Sequence, residues 1–329
     1  MIISVLIPVY NTESTLLDCL NSVLSQDCDL LNNKNQIEII VLNDASTGQD
    51  LQGNSCKKII KLFQKSIKKN HKYLDVLYFE HSKNLGLLHT RRDMLYEAHG
   101  EYTLSLDSDD TLTPNALNSF LNAIKLTHAD IIHGKTNLIT DSPDKEEKIK
   151  KNAENVFIGQ LNNTEILDGL LLKNNHNGYV CTKLIKREVY LNAFEFIPNT
   201  YCVMADDYLQ YLWICTQAKS YYGIDEYVYN YNHTGGITSQ KEINDLGTWQ
   251  KICSTASVFT SIFSTLETLD YAPFTPEQLD IIRLTCRMYL KNNLLQLNTV
   301  VSPALHDQAY QMLCDWWGPE FVSKMEKEL

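Results

Sequence analysis

Short apolar runs alternate with amphipathic segments through the first 135 residues of the chain. Residues 2–9 form an apolar run, and the next segment carries one apolar helical face made of Leu16, Leu20, Val23 and Leu24. These four residues are spaced as on one face of a helix, whereas the short continuous apolar run is typical of a strand. A strand followed by a helix is therefore predicted. The alternation then repeats, with further strands predicted at residues 37–42, 75–80 and 102–106. Four strand–helix units predict an α/β fold with a mostly parallel sheet between helices, whose ligands bind beyond the carboxyl ends of the strands.

The alternation weakens in the second half of the chain. Thr113 is predicted to cap the helix after the fourth strand, with Pro114 at its first position. Residues 141–155 are charged and are predicted to form an exposed excursion. Later elements are helices near residues 164–172 and 207–217 and a strand at 223–232, and from about residue 244 the pattern is almost wholly helical.

Composition and charge narrow the function classes. The 329 residues carry a formal net charge of -11, which argues against nucleic acid as the main partner, since its binders need a basic face. The nine cysteines are scattered without a C-x-x-C pair, so neither a disulfide framework nor a zinc site is indicated. The apolar start has no basic leader, and no later run is long enough to span a bilayer. These features predict a cytoplasmic protein that is soluble or peripheral to the inner face of a membrane.

Two polar clusters follow apolar strands. Asp107, Asp109 and Asp110 lie directly behind the fourth strand, and residues 43–46 lie behind the second. Close carboxylates repel each other and are costly to bury unless a cation lies among them. Since the carboxyl ends of parallel strands share one edge, the two clusters are expected to meet in one pocket. Mg²⁺ or Mn²⁺, held by one or two carboxylates together with phosphate oxygens, would satisfy this cluster.

Four segments in order carry a resemblance to a known family. They are SVLIPVYN at residues 4–11, EIIVLNDAS at 38–46, NLG at 84–86 followed by Arg91, and GEYTLSLDSDD at 100–110. Together they resemble the signature of family 2 glycosyltransferases, which are inverting enzymes with the GT-A fold. The resemblance implies a GT-A domain over residues 1–240, with a nucleotide-sugar-binding half at 1–135 and an acceptor-binding half at 136–240. Residues 241–329 then form a helical C-terminal extension.

The resemblance also implies a reaction and its binding residues. The chain would transfer a sugar from a nucleotide-sugar, a UDP-sugar by preference, to a hydroxyl group of a glycan or glycoconjugate, such as a surface polysaccharide, with Mg²⁺ or Mn²⁺ as cofactor. The metal ligands would be Asp109 and Asp107, with His233 as a further ligand, and Asp110 would support them. The donor would contact Pro8, Val9, Tyr10, Asp44, Asn84, Arg91, Asp107 and Ser108.

The resemblance assigns the general base to a pair of acids. Asp207 is predicted to take the proton from the acceptor hydroxyl, with Asp206 as orienting or alternative base; two acids at a helix start are equally compatible with dipole capping. Gly235 and Gly236 suit a loop that moves when the donor binds, and Lys183 matches a recurrent lysine of the family without an assigned role.

Other readings of the chain stay open. The strand followed by Asp107, Asp109 and Thr111 also fits a haloacid-dehalogenase-type phosphatase with Asp107 as nucleophile, although about a hundred residues of ordered units before the motif are then unexplained. A non-catalytic binding protein is the third alternative. The C-terminal helices are compatible with a homodimer contact, acceptor binding or a peripheral membrane contact.

Overall fold

The computed structural model describes residues 2–26, 36–68, 70–71, 73–140, 147–233 and 242–328. The strands in these ranges are β1 (Ile3–Val9), β2 (Ile37–Asn43), β3 (Asp75–Glu80), β4 (Tyr102–Ser105), β5 (Thr111–Leu112), β6 (Ile131–Ile139), β7 (Gly159–Asn162), β8 (Lys183–Lys186) and β9 (Ser220–Asn232). The helices are α1 (Glu13–Leu24), α2 (Cys56–Ile67), α3 (Leu87–Glu97), α4 (Ala116–Thr127), α5 (Glu147–Ala153), α6 (Thr164–Leu171), α7 (Arg187–Phe194), α8 (Asp206–Gln217), α9 (Leu246–Cys253), α10 (Thr255–Thr268), α11 (Pro276–Thr299), α12 (His306–Trp317) and α13 (Pro319–Glu326).

The strands form one mixed sheet that is parallel in its first half. Its order is β3-β2-β1-β4-β8-β6-β9-β5, and β7 also pairs with β9. β1 lies parallel to β2 and β4, and β2 lies parallel to β3. β8 runs antiparallel to β4 and β6, while β6 and β9 are parallel to each other. The predicted mostly parallel central sheet is confirmed.

Helices cover both faces of the sheet, which explains why β1 is apolar at nearly every position. Val5 and Ile7 belong to a buried cluster with Leu20 of α1 and Phe63 of α2, whereas Leu6 belongs to the cluster on the opposite face. Strands buried on both faces have near-continuous apolar runs. The alternation of side chains along β1 therefore divides the core into two layers.

The C-terminal helices complete the core on the Leu6 face. Trp213 of α8 and Trp249 of α9 are fully buried in that same cluster. The Trp249 indole donates to the Ala309 carbonyl at 2.8 Å. α11 begins at a capping box, in which Thr275 and Gln278 each accept a hydrogen bond from the other's backbone N–H. The predicted helical extension is present, and its boundary near residue 240 stays a prediction.

Two predicted details need correction. Thr113 does not cap the helix after β4: α4 begins at Ala116 with Asn115 as its N-cap, and the Thr113 hydroxyl donates to the Tyr227 carbonyl at 2.6 Å. The reason is that residues 111–112 pair with β9 as a short strand and displace the helix start. In the predicted excursion at 141–155, the described part contains the short helix α5, where Ala153 is buried.

Candidate active site

A cleft of about 700 Å³ lies beyond the carboxyl ends of β1, β2 and β4. This is where ligands bind in open α/β sheets. The structure brings together at its walls most of the predicted donor and metal residues: Pro8, Val9, Tyr10, Asp44, Asn84, Asp107, Ser108 and Asp109. The cleft is also lined by residues that sequence reasoning missed, among them Tyr201, Val203 and Lys251. These three lie in the half of the chain where the resemblance is loose or absent.

Asp44 holds the loop that carries the NLG motif. Its Oδ1 accepts a hydrogen bond from the Leu85 N–H and its Oδ2 from the Gly86 N–H, both at 2.8 Å. Gly86 has a φ of 91°, a conformation that glycine adopts without steric cost. His81 Nδ1 lies 2.7 Å from Asp44 Oδ1, a contact that no sequence signal indicated. Asp44 thus fixes the loop at the edge of the cleft, and its predicted contact with a base stays a prediction.

Tyr10 presents its ring to the cleft from the end of β1. Its surface is 46% exposed although the strand before it is buried. The following Asn11 has a φ of 59° and accepts hydrogen bonds from the Thr47 and Gly48 N–H groups at 3.1 and 3.0 Å. The turn after β1 is therefore tied to the loop after β2. An exposed ring on a fixed turn is suited to stacking on a planar ligand.

The acidic cluster after β4 contains three carboxylates with different partners. Asp110 is buried and accepts hydrogen bonds from the Tyr229 hydroxyl and the Asn232 N–H, each at 2.7 Å. Asp109 is exposed to the cleft, and Asp107 is partly exposed. Asp110 therefore joins the cluster to β9, which leaves Asp109 and Asp107 to face a ligand.

Burial and neighbouring carboxylates raise the pKa of two members of the cluster. Removal of water by the surrounding protein, followed by the charge of Asp107, raises the pKa of Asp109 to about 6. Burial, followed by the charges of Asp107 and Asp109, raises the pKa of Asp110 to about 8. Negative charge at this point is therefore poorly compensated, which favours a cation in the cleft.

Arg91 joins the acidic cluster to the predicted base. Its guanidinium is buried, with 2% of the side chain exposed, and donates to Asp107 Oδ1 at 2.9 Å. It also donates to Asp206 Oδ2 and to Asp207 Oδ1, each at 2.6 Å. Arg91 is not among the residues that line the cleft, and its guanidinium contacts three aspartates. Its predicted contact with the donor stays a prediction. One buried cation thus connects both groups of acids that the sequence singled out.

Asp206 and Asp207 begin α8 but differ in their surroundings. Asp206 also accepts from Gln210 Nε2 at 2.9 Å and has 8% of its side chain exposed, whereas 23% of Asp207 is exposed. Burial is the first cause that raises the pKa of both carboxyls, against the lowering effect of Arg91. Asp206 is therefore the anchored member of the pair, and Asp207 is the more accessible one.

The donor set fits a metal that is bound together with a ligand. Within the described ranges, no three His, Cys, Asp or Glu side chains are arranged as a metal site of their own. The structure thus does not bring His233 into such a set with Asp107 and Asp109; its backbone N–H donates to the Ile139 carbonyl at 2.8 Å. Asp107 and Asp109 do supply hard oxygen donors, and one or two carboxylates suffice where phosphate oxygens complete the shell. His233 as a ligand stays a prediction.

The remaining predicted residues are two glycines and one lysine. Gly235 and Gly236 lie outside the described residues. Lys183 is fully buried, and its Nζ lies 4.2 Å from the centre of the Tyr211 ring and donates to Asn177 Oδ1 at 3.0 Å. Burial lowers its pKa to about 7. Lys183 is thus an internal polar support of the second half.

Comparisons with known proteins bear on these observations. A family model described as glycosyl transferase family 2 matches residues 4–194, more than half of the chain. The chain is 35% identical over 136 residues to the poly(ribitol-phosphate) beta-glucosyltransferase of Bacillus spizizenii. That alignment covers 41% of this chain but only 19% of the relative, so the chain spans a small part of that protein's length.

Solved structures share the fold at low sequence identity. The segment 1–349 of TarS from S. aureus, in complex with UDP, aligns with a TM-score of 0.61 and 19% identity, covering 99% of this chain and 83% of that chain. A mannosyltransferase from Pyrobaculum calidifontis, PcManGT, in complex with GDP-Man and Mn²⁺, aligns with a TM-score of 0.53 and 14% identity, covering 99% and 86%. These likenesses confirm the predicted GT-A-like fold. In the described part of the chain, no helix is long and apolar enough to cross a membrane.

Proposed function

The chain belongs to glycosyl transferase family 2, and from this premise we propose that it transfers a sugar from a UDP-sugar to a hydroxyl group of a glycan or glycoconjugate acceptor. The predicted family membership and enzyme class are confirmed, and the phosphatase and non-catalytic alternatives are not carried further. The observation that carries the proposal is that Tyr10, Asp44 and Asp109 line the same cleft at the carboxyl ends of the strands. The TarS structure that shares this fold contains UDP.

We propose a position for the donor from the residues that line the cleft. We assign the nucleoside to the side of Tyr10 and Asp44, where an exposed ring and a carboxylate lie at the ends of neighbouring strands. The diphosphate then lies towards Asp107 and Asp109. The chain has a net charge of -11, and the raised pKa of Asp109 reflects burial and the negative charge of Asp107 beside it. An anion is therefore disfavoured there unless a cation accompanies it.

A divalent ion meets that requirement. Asp109 and Asp107 would hold Mg²⁺ or Mn²⁺ between them and the diphosphate, and the ion would offset the charge that develops on the leaving diphosphate. The structural likeness to PcManGT, whose complex contains Mn²⁺, supports this proposal. Arg91 donates to Asp107 Oδ1 at 2.9 Å and orients this carboxylate for that role.

Asp207 is assigned as the general base. It is more exposed than Asp206, and its raised pKa makes it a better proton acceptor than an ordinary carboxylate. The acceptor oxygen attacks the anomeric carbon and its proton passes to Asp207, while the bond to the diphosphate breaks and the diphosphate leaves with the electron pair. The displacement inverts the anomeric carbon in one step. Asp206, fixed by Gln210 and Arg91, keeps the start of α8 in register.

The acceptor class is proposed from the relatives. The Bacillus spizizenii relative is named a poly(ribitol-phosphate) glucosyltransferase, so we propose a polymer of polyol phosphates as the acceptor and a ribitol-phosphate oligomer as its probe. The predicted cytoplasmic location, membrane contact and homodimer stay predictions.

A donor screen tests the function. Hydrolysis of UDP-, GDP-, CMP- and dTDP-sugars is measured with and without Mn²⁺, followed by transfer to the ribitol-phosphate oligomer. We expect metal-dependent UDP release that Asp109→Asn abolishes. Hydrolysis of an aryl phosphate in place of every nucleotide-sugar would refute the proposal, as would wild-type protein that neither binds nor cleaves any of these donors.

A further inference from the structure

A second pocket, of about 320 Å³, lies among the C-terminal helices outside the donor cleft. We call it the α10–α13 pocket. Its size is at the lower end of the range of about 300–1,000 Å³ that ligand sites occupy. Its walls come from four helices: Ala256, Phe259, Thr260, Phe263, Arg283, Cys286, Arg287, Trp316, Trp317 and Phe321.

The floor of this pocket is aromatic. The Trp317 ring centre lies 6.1 Å from that of Phe259 and 6.2 Å from that of Phe321, and Trp316 is only partly buried beside them. Flat apolar rings of this kind pack against the carbon faces of sugars and polyols while their hydroxyl groups stay in water. The floor therefore favours a carbon skeleton with polar edges.

The rim of the pocket is basic. Arg283 and Arg287 lie four residues apart on α11, so they point to the same side, and both are exposed. Arg283 has an ion pair with Asp280 at 3.0 Å, but both side chains are more than half exposed, and such pairs are weak. Arginine presents a planar fork that matches phosphate oxygens. The chain as a whole has a net charge of -11 and therefore does not attract anions in general. A basic rim at this one place indicates a site for an anionic ligand.

A pair of aromatic rings lies between the pocket and the donor cleft. Tyr201 lines the cleft, and its ring centre lies 6.3 Å from that of Trp316, which lines the pocket. Lys251, on the first of the C-terminal helices, also lines the cleft. A chain molecule that extends from this side of the donor cleft would thus find an aromatic and basic surface next to it.

We propose that the α10–α13 pocket binds a phosphodiester-linked unit of the acceptor polymer, with Arg287 and Arg283 on the phosphate and Trp316 against the polyol. This rests on the proposed function and assigns the acceptor contact to the C-terminal helices. The pocket acts on acceptor affinity, because none of its residues reaches the acids that perform the transfer.

The test separates acceptor binding from donor chemistry. Binding of the ribitol-phosphate oligomer to the UDP-saturated protein is measured by calorimetry, and its KM by transfer kinetics. Arg287→Gln is expected to raise the dissociation constant and the KM of the oligomer about tenfold each. A change of this size is typical for the loss of one charge-assisted hydrogen bond. The loss should shrink at high salt. Lys291→Gln, on the same helix but outside the pocket and paired with Glu328 at 3.7 Å, serves as the matched control and should change neither.

Each result decides a distinct question. If wild-type protein cleaves UDP-sugars but Arg287→Gln binds the oligomer as tightly as wild type, the pocket assignment is wrong and the proposed function stands. If the wild type binds donor but no oligomer, or if Arg287→Gln changes the sedimentation coefficient instead of the affinity, the pocket is not an acceptor site. If the wild-type protein neither binds nor cleaves any of the donors, the proposed function itself is refuted.

Discussion

Replacing Arg91 by methionine removes a positive charge that contacts both groups of acids, and among the described residues no other cation does so. Methionine keeps much of the length and volume but cannot donate a hydrogen bond. Asp107, Asp206 and Asp207 then lose partners at 2.9, 2.6 and 2.6 Å. Two of these carboxylates have less than a quarter of the side chain exposed, so water cannot fully replace the guanidinium. We expect a less stable protein with little transfer activity.

The size of the loss follows from burial. Removing one partner of a buried ion pair costs about 3–5 kcal/mol. The cost depends on pH, because the pKa values of Asp206 and Asp207 are already raised by burial. An acid with a raised folded pKa binds its proton more tightly in the folded state, so its contribution lowers the stability as pH rises above about 4. Without Arg91 these pKa values rise further, so the loss relative to wild type should grow with pH by about 1.4 kcal/mol per unit for each proton involved.

Urea unfolding between pH 5.5 and 8.5 measures this difference, and donor hydrolysis reports the site. The matched control is Arg92→Met, because Arg92 donates to the neutral Asn199 side chain and Ile197 carbonyl. The control should lose less stability and show no growth of the loss with pH. The double variant Arg91→Met with Asp206→Asn should recover part of the loss. A deficit for Arg91→Met that is constant across this pH range, or equal to that of the control, would refute charge compensation as the role of Arg91.

Three further predictions concern single side chains. Asp207→Asn should lower the rate of transfer by about 10²–10⁴-fold, while the affinity for UDP, measured by calorimetry, stays near that of the wild type. If Asp206→Asn shows this loss and Asp207→Asn does not, Asp206 is the base. The apparent affinity for Mn²⁺ with UDP, followed by thermal shift, should fall about tenfold per pH unit below about 6, since the ion competes with the proton of Asp109, whose pKa is about 6; a pH-independent shift would contradict this. Lys183 has its pKa lowered to about 7 in the folded protein, below its value of about 10.4 when unfolded, so wild-type stability should fall as pH drops from about 10 to 7. In Lys183→Met that part of the pH dependence should be absent, and a melting profile that still parallels the wild type would show that Lys183 is not its source.

The first half of the fold could be predicted because its signals are local. β1 to β4 begin and end within about two residues of the predicted runs, since each is an apolar stretch bounded by polar residues. β5 was missed: two residues, Thr111 and Leu112, become a strand only because β9 lies beside them. Their pairing partner lies more than a hundred residues away, and no local pattern contains that information. The wrong helix start at Thr113 has the same cause.

Those residues of the cleft that directly follow a predicted strand could be predicted from the sequence. Tyr10, Asp44 and Asp109 each follow a strand of the parallel half, so topology alone places them at one edge. Tyr201 and Lys251 reach the same cleft from irregular and helical segments whose spacing resembles no motif. Their position depends on how the C-terminal helices pack on α8, which is a property of the tertiary core.

Arg91 shows what the sequence could not contain. It was placed near the diphosphate by its position after the NLG motif, yet its buried guanidinium contacts acids 16, 115 and 116 residues away along the chain. That arrangement joins Asp107, on the donor side, and Asp207, on the acceptor side, to the same cation. A metal that binds Asp107 would weaken that residue's hold on Arg91 and leave more of the guanidinium's charge for Asp206 and Asp207. If the two sides are coupled in this way, the pH profile of transfer at saturating metal should shift when Mn²⁺ is replaced by Mg²⁺, whereas independent sites would give profiles with the same acidic limb for both ions.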